Sequence, residues 1–183
     1  MKQKIYYIPG WGETKNFKYS KKIIQALEKN GEVIPIKYIS KKGTNPSRNI
    51  EMILEQIKKP TKNDILIGFS MGALFAYILN TKIKFKKVII CSIPAILEND
   101  LEKFPKKEVS KIFSQIEIKE FGQIKYTKPR SLTVFICGDK ENKETIDKTK
   151  WLAKKFKSKS IVVKNTKHKL EEKLISDLTK LEI

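Results

Sequence analysis

Three short runs, DILIG from Asp64, VIICSI from Val88 and LTVFICG from Leu132, carry almost no side chain that could face water. Strands that are apolar on every position need cover on both faces, and that arises when helices pack above and below a parallel sheet. The rest of the chain fits this constraint. Strand-length runs over Ile5–Pro9, Val33–Ile39, Asp64–Ser70, Lys87–Ile93, Leu132–Gly138 and Ser160–Lys164 alternate with stretches of helical character. The helical stretches are about Phe17–Lys29, Arg48–Lys58, Met71–Leu79, Lys107–Glu117, Lys143–Phe156 and Leu170–Leu181, and in the second of them Ile50, Ile53, Leu54 and Ile57 share one face. The alternation predicts an α/β fold with a mostly parallel sheet of about six strands and helices on both faces.

At 183 residues the chain has the length of one ordinary domain, and a chain of that size buries about 70% of the surface exposed when unfolded. No repeat, low-complexity tract or Gly/Ser linker divides it, so one domain over residues 1–183 is expected. One interval is longer than a normal crossover: residues 94–130, which carry Leu101, Phe104, Ile112, Phe113 and Ile116. Their apolar face either packs on the sheet or walls a substrate pocket. No segment reaches the roughly 18 uninterrupted apolar residues of a membrane span, and MKQKIYYIPGWG lacks the apolar core and cleavage site of a secretory signal. A cytoplasmic protein is expected. Cys91 and Cys137 both fall inside apolar runs, which suits buried reduced thiols rather than a disulfide framework or a metal site.

Lysine and arginine total 39 against 20 acidic residues, for a net charge of +19, and such a charge can attract nucleic acid or an anionic membrane. The distribution argues otherwise. Only Arg48 and Arg130 are arginines, and the lysines are spread over all the predicted helices but Met71–Leu79 and over most of the loops, whereas nucleic-acid readers cluster arginine with stacking aromatics. A nucleic-acid partner is therefore not expected.

In open α/β sheets ligands bind beyond the carboxyl ends of the strands. Four such ends carry polar or glycine-rich residues: Pro9-Gly10-Trp11-Gly12, Gly68-Phe69-Ser70-Met71-Gly72, Cys137-Gly138-Asp139, and Asn165-Thr166-Lys167-His168. Between a buried strand and a helix, G-x-S-x-G makes a sharp elbow that exposes its serine. The alternative is a small residue that merely eases a tight turn. A serine nucleophile needs a base to take its proton, and the chain has a single histidine, His168, just before the last predicted helix. By itself a histidine among lysines is commonly a solvated surface residue. The acid that would orient it is Asp139, directly after Gly138; Glu141 is a possible substitute, and Asp147 a weaker one. Asp139 can also be read as an ordinary turn residue.

The order Ser70, Asp139, His168 follows the nucleophile, acid, histidine order of the α/β-hydrolases, and the chain resembles a compact, nearly lidless member of that superfamily over essentially its whole length. Pro9-Gly10-Trp11-Gly12 resembles the HG-x-G segment of the family, with proline in place of its histidine. The resemblance implies an α/β-hydrolase fold with a minimal lid, and an oxyanion hole formed by the backbone N–H groups of Trp11 and Met71. It implies a serine hydrolase of small carboxylic esters or thioesters that works through an acyl-enzyme on Ser70 and needs no metal or organic cofactor. Two other classes stand beside it: a non-catalytic binding or scaffolding protein with the same fold, and a lysine-rich binder of polyanions or membrane surfaces. A dinucleotide-binding reading of GWGETK fails, because Lys15 stands where a third glycine is needed and no acidic residue closes VIPIKYI. No Walker-type phosphate loop is present.

Overall fold

The computed structural model describes residues 2–13, 20–98, 100–168, 175, 176 and 178. Its strands are β1 (Lys4–Ile8), β2 (Glu32–Pro35), β3 (Ile65–Phe69), β4 (Lys87–Cys91), β5 (Leu132–Gly138) and β6 (Lys159–Val163). They form one sheet in the order β2-β1-β3-β4-β5-β6, with every pairing parallel. From β1 the chain steps outward to β2 and then crosses back to place β3 on the other side of β1. That reversal of direction opens a crevice at the carboxyl ends of β1 and β3, the place where sheets of this kind bind ligands.

The helices are α1 (Lys21–Leu27), α2 (Pro46–Gln56), α3 (Met71–Lys82), α4 (Lys106–Ile112), α5 (Gln115–Gln123) and α6 (Lys143–Lys155). Successive strand residues face opposite sides of the sheet, and the buried side chains divide accordingly. Tyr6, Ile8, Leu66, Val88, Ile90 and Phe135 join a core that includes Ile53 of α2, Leu74 of α3 and Leu152 of α6. Ile5, Tyr7, Ile65, Ile67, Ile89 and Ile136 join a second core with Ile23 and Leu27 of α1 and with Ile175 and Leu178. Both faces are covered, as the unbroken apolar runs require. Cys91 and Cys137 are free and buried; burial pushes both thiols up, that of Cys137 to about 11. Among the described residues no helix is long and apolar enough to cross a membrane.

Two elements differ from the sequence expectation for identifiable reasons. The strand expected over Val33–Ile39 stops at Pro35, which has no N–H for a ladder and is tolerated because β2 lies at the sheet edge. Beyond it, side-chain amides of α2 replace the ladder. Gln56 Oε1 accepts from Lys37 N at 2.9 Å and its Nε2 donates to Lys37 O at 2.6 Å. Asn49 does the same for Ile39, at 2.9 and 3.1 Å. The helix expected over Lys107–Glu117 is two helices, α4 and α5, because Ser114 and Glu117 form a reciprocal capping box that restarts the helix at Gln115. Of the two remaining expectations, Phe17–Tyr19 of the first helix and most of Leu170–Leu181 lie outside the described residues.

The segment 94–130 contains a short 3₁₀ turn (Asp100–Lys103), α4 and α5. Asp100, 4% exposed, ties it to α6: its carboxylate accepts from Lys148 Nζ at 2.8 Å, Tyr126 Oη at 2.6 Å and Lys103 Nζ at 3.2 Å. Burial alone would raise this carboxyl, but the donors from Lys148, Tyr126 and Lys103 outweigh it and hold the group below its ordinary value. A depressed folded value means that the stabilisation is fully present above the unfolded value of about 3.9 and is lost as pH falls through the folded one. Asp100→Asn is thus expected to cost about 2 kcal/mol at neutral pH. In urea unfolding the gap between native and variant should narrow steadily as the pH drops below about 4.

Candidate active site

Ser70 occupies the turn between β3 and α3 with φ 53° and ψ −121°, a conformation that non-glycine residues rarely adopt. Its N–H donates to Cys91 O at 2.9 Å, which fastens the turn to the end of β4. The glycines on either side permit close approach. A Cβ on Gly72 would lie 2.2 Å from Ile8 O and 2.3 Å from Pro9 O, and one on Gly68 would lie 2.3 Å from Gly72 O. The sequence G-x-S-x-G therefore folds as a tight strand-to-helix elbow whose middle residue is held at the carboxyl edge of the sheet.

Beside this elbow the end of β1 turns through Gly10–Glu13, closed by Glu13 N to Gly10 O at 3.3 Å. Ile8 and Gly68 are register partners, so the chain leaves β1 toward Trp11 and β3 toward Met71 from neighbouring points. Neither the Trp11 N–H nor the Met71 N–H has a hydrogen-bond partner among the described residues. The Trp11 ring meets Phe113 edge-on at 5.9 Å, and Phe113 meets Phe121 at 6.1 Å. A narrow crevice lined by Trp11, Tyr38, Met71, Phe75 and Phe121 lies alongside.

His168 comes from the loop after β6, and the structure brings it to Ser70: His168 Nε2 lies 2.9 Å from Ser70 Oγ. The other ring nitrogen, Nδ1, lies 2.7 Å from Glu141 Oε2. An ionised carboxylate only accepts, so Nδ1 carries the proton and Nε2 is free to accept from the serine hydroxyl. The Phe69 ring packs against the imidazole with centroids 5.3 Å apart. Close approach of the loop to β5 depends on Gly138, where an added Cβ would lie 2.0 Å from Thr166 O.

The acid beside His168 is thus Glu141, and the expectation for Asp139 is corrected. Asp139 is exposed, and its Oδ1 accepts from Thr166 N at 3.2 Å. It steadies the loop that carries His168 without touching the ring. The reason is local: Asp139 and Lys140 form a turn, which brings the longer Glu141 side chain back beneath the strand end, where Gly138 N donates to its Oε1 at 2.7 Å. Ser92 Oγ donates to the same oxygen at 2.7 Å. The Glu141 side chain is only 1% exposed. Burial would raise its carboxyl, but the hydrogen bonds from His168, Gly138 and Ser92 prevail and lower it. Asp147 lies in α6 and lines a different cleft, with Asp100, Lys148 and Trp151.

Ser92 was not anticipated from the sequence. The signal available was slight, a lone polar residue in VIICSI one position past β4. Among the described residues no three His, Cys, Asp or Glu side chains are grouped to hold a metal ion.

No protein-family model matches the chain, and no curated protein matches it significantly. Solved structures do. The ydeN gene product from B. subtilis superposes with TM-score 0.70 at 12% identity, covering 91% of this chain and 87% of that one. A monoacylglycerol lipase from Paleococcus ferrophilus gives 0.68 at 11% identity, covering 97% and 92%. A thioesterase domain from the curacin biosynthetic pathway gives 0.62 at 14%, covering 99% and 91%. At these identities the likeness is one of fold, and the fold is that of the α/β-hydrolases.

Proposed function

We propose that this chain, an α/β-hydrolase in fold, is a serine hydrolase of small carboxylic esters or thioesters, with Ser70, His168 and Glu141 as its working groups. The observation that carries the reading is the continuous hydrogen-bonded path from Ser70 Oγ through both nitrogens of His168 to a buried carboxylate. Ser70 Oγ attacks the acyl carbonyl while His168 Nε2 takes its proton. Glu141 holds the ring in the required tautomer and stabilises the imidazolium that forms. The N–H groups of Trp11 and Met71 receive the oxyanion, with the N-terminus of α3 adding its positive end. His168 then returns the proton to the departing alcohol or thiol. Water, deprotonated by His168, cleaves the acyl group from Ser70 and completes the cycle.

Asp139 takes a supporting part in this account, bracing the loop before His168. Phe113 and Phe121, which reach the Trp11 ring from the 94–130 segment, support a pocket wall built by that segment, and the wall serves in place of a larger lid.

Stopped-flow hydrolysis of a p-nitrophenyl ester and of an acyl thioester tests the reading. A burst equal to about one product per enzyme, followed by slower turnover, is expected, because an activated ester acylates Ser70 faster than water releases the acyl group. Turnover should change little between low and moderate salt. Absence of any turnover, together with salt-sensitive binding of nucleic acid or anionic vesicles, would favour the electrostatic binder instead.

A further inference from the structure

Ser92 follows β4 immediately, is wholly buried and has φ 56°. Glycine adopts such a backbone at no steric cost, while serine is disfavoured there. Its N–H donates to Ile136 O at 2.7 Å, which locks it between the ends of β4 and β5. From that position its hydroxyl donates to Glu141 Oε1 at 2.7 Å. The two carboxylate oxygens then have divided tasks. Oε1 is occupied by Ser92 and Gly138, and Oε2 is left facing His168.

We infer that Ser92 is a positioning residue for the proposed hydrolase: its hydroxyl fixes the Glu141 carboxylate in the rotamer that presents Oε2 to His168 Nδ1. The inference rests on the assignment of Ser70 as nucleophile. The groups in contact with the Glu141 carboxylate are His168 from the loop after β6, the hydroxyl of Ser92 from the end of β4 and the N–H of Gly138, and its charge also reaches the buried thiols of Cys91 in β4 and Cys137 in β5. Both thiols are raised by burial and stay neutral. Without the Ser92 donor the carboxylate is more basic, and it takes up its proton at higher pH.

The test pairs Ser92→Gly with Ser92→Ala. Glycine removes the hydroxyl and relieves the backbone; alanine removes the hydroxyl and keeps the strain. Both are expected to lower kcat by about tenfold with KM within about twofold, and to move the acid limb of the kcat profile to higher pH. In a Glu141→Gln background Ser92→Gly should have almost no further effect on kcat. Because His168 is the only histidine, its Nδ1–H proton resonance reports the contact directly, and it should shift or broaden in both variants. Native kcat, acid limb and resonance in Ser92→Gly would overturn the inference and leave Ser92 a turn residue. If the native chain shows no turnover, the hydrolase assignment falls, and an unchanged resonance in Ser92→Gly would separately overturn the positioning role.

Discussion

Glu141→Gln is expected to lower kcat on an acyl ester by about 10⁴-fold, whereas Asp139→Asn should change it by no more than about threefold. The asymmetry follows from which carboxylate meets the imidazole. Glu141 Oε2 is 2.7 Å from His168 Nδ1, and an amide in its place can present an N–H there. The ring would then carry its proton on Nε2, facing Ser70, and would have no lone pair for the serine proton. The shape of the site would survive while its base would not, so KM should move little and kcat should carry the loss. Asp139 offers a single oxygen to Thr166 N at 3.2 Å, and the side-chain oxygen of asparagine can accept the same bond. Steady-state kinetics on the two variants, with thermal melts to verify folding, decide the matter. A large loss for Asp139→Asn and a small one for Glu141→Gln would return the orienting role to Asp139.

Gly72→Ala should also slow the enzyme, less severely and by a different route. A methyl group at this position would stand 2.2 Å from Ile8 O and 2.3 Å from Pro9 O, and neither oxygen can withdraw, because both belong to the backbone at the end of β1. The start of α3 must therefore move away from β1 by roughly 1 Å. That displacement separates the Met71 N–H from the Trp11 N–H and carries Ser70 with it, and misplacement on this scale costs on the order of 10²-fold in rate. Overpacking adds a stability loss of about 1–3 kcal/mol. Gly122→Ala is the internal control: its Cβ would come no closer than 3.5 Å, to Glu98 O, and alanine favours a helix by about 1 kcal/mol. Equal behaviour of the two variants would mean that the elbow tolerates the displacement.

The sheet was legible because fully buried strands leave an unmistakable pattern: β3, β4 and β5 lie where DILIG, VIICSI and LTVFICG place them. The elbow was legible too, since G-x-S-x-G between a strand and a helix admits few other geometries. Where the reading went astray, side-chain reach or side-chain capping decided the outcome. Asp139 and Glu141 are both carboxylates just past β5, and only the turn at 139–140 determines which of them lies under the imidazole. The end of β2 was hidden because Gln56 and Asn49 satisfy the backbone of Lys37 and Ile39 from another element. Ser114 and Glu117 did carry a local signal, the capping-box spacing that divides α4 from α5. Ser92 carried none that separates a turn serine from a partner of Glu141.

The central claim, that Ser70 is an activated nucleophile, is tested most directly by intact-mass analysis after treatment with a fluorophosphonate, followed by mapping of the modified peptide. The account predicts one adduct per native chain, located on Ser70, and none on Ser70→Ala under the same conditions. A folded native chain that takes up no adduct, or a Ser70→Ala chain that labels as well as the native one, would contradict it.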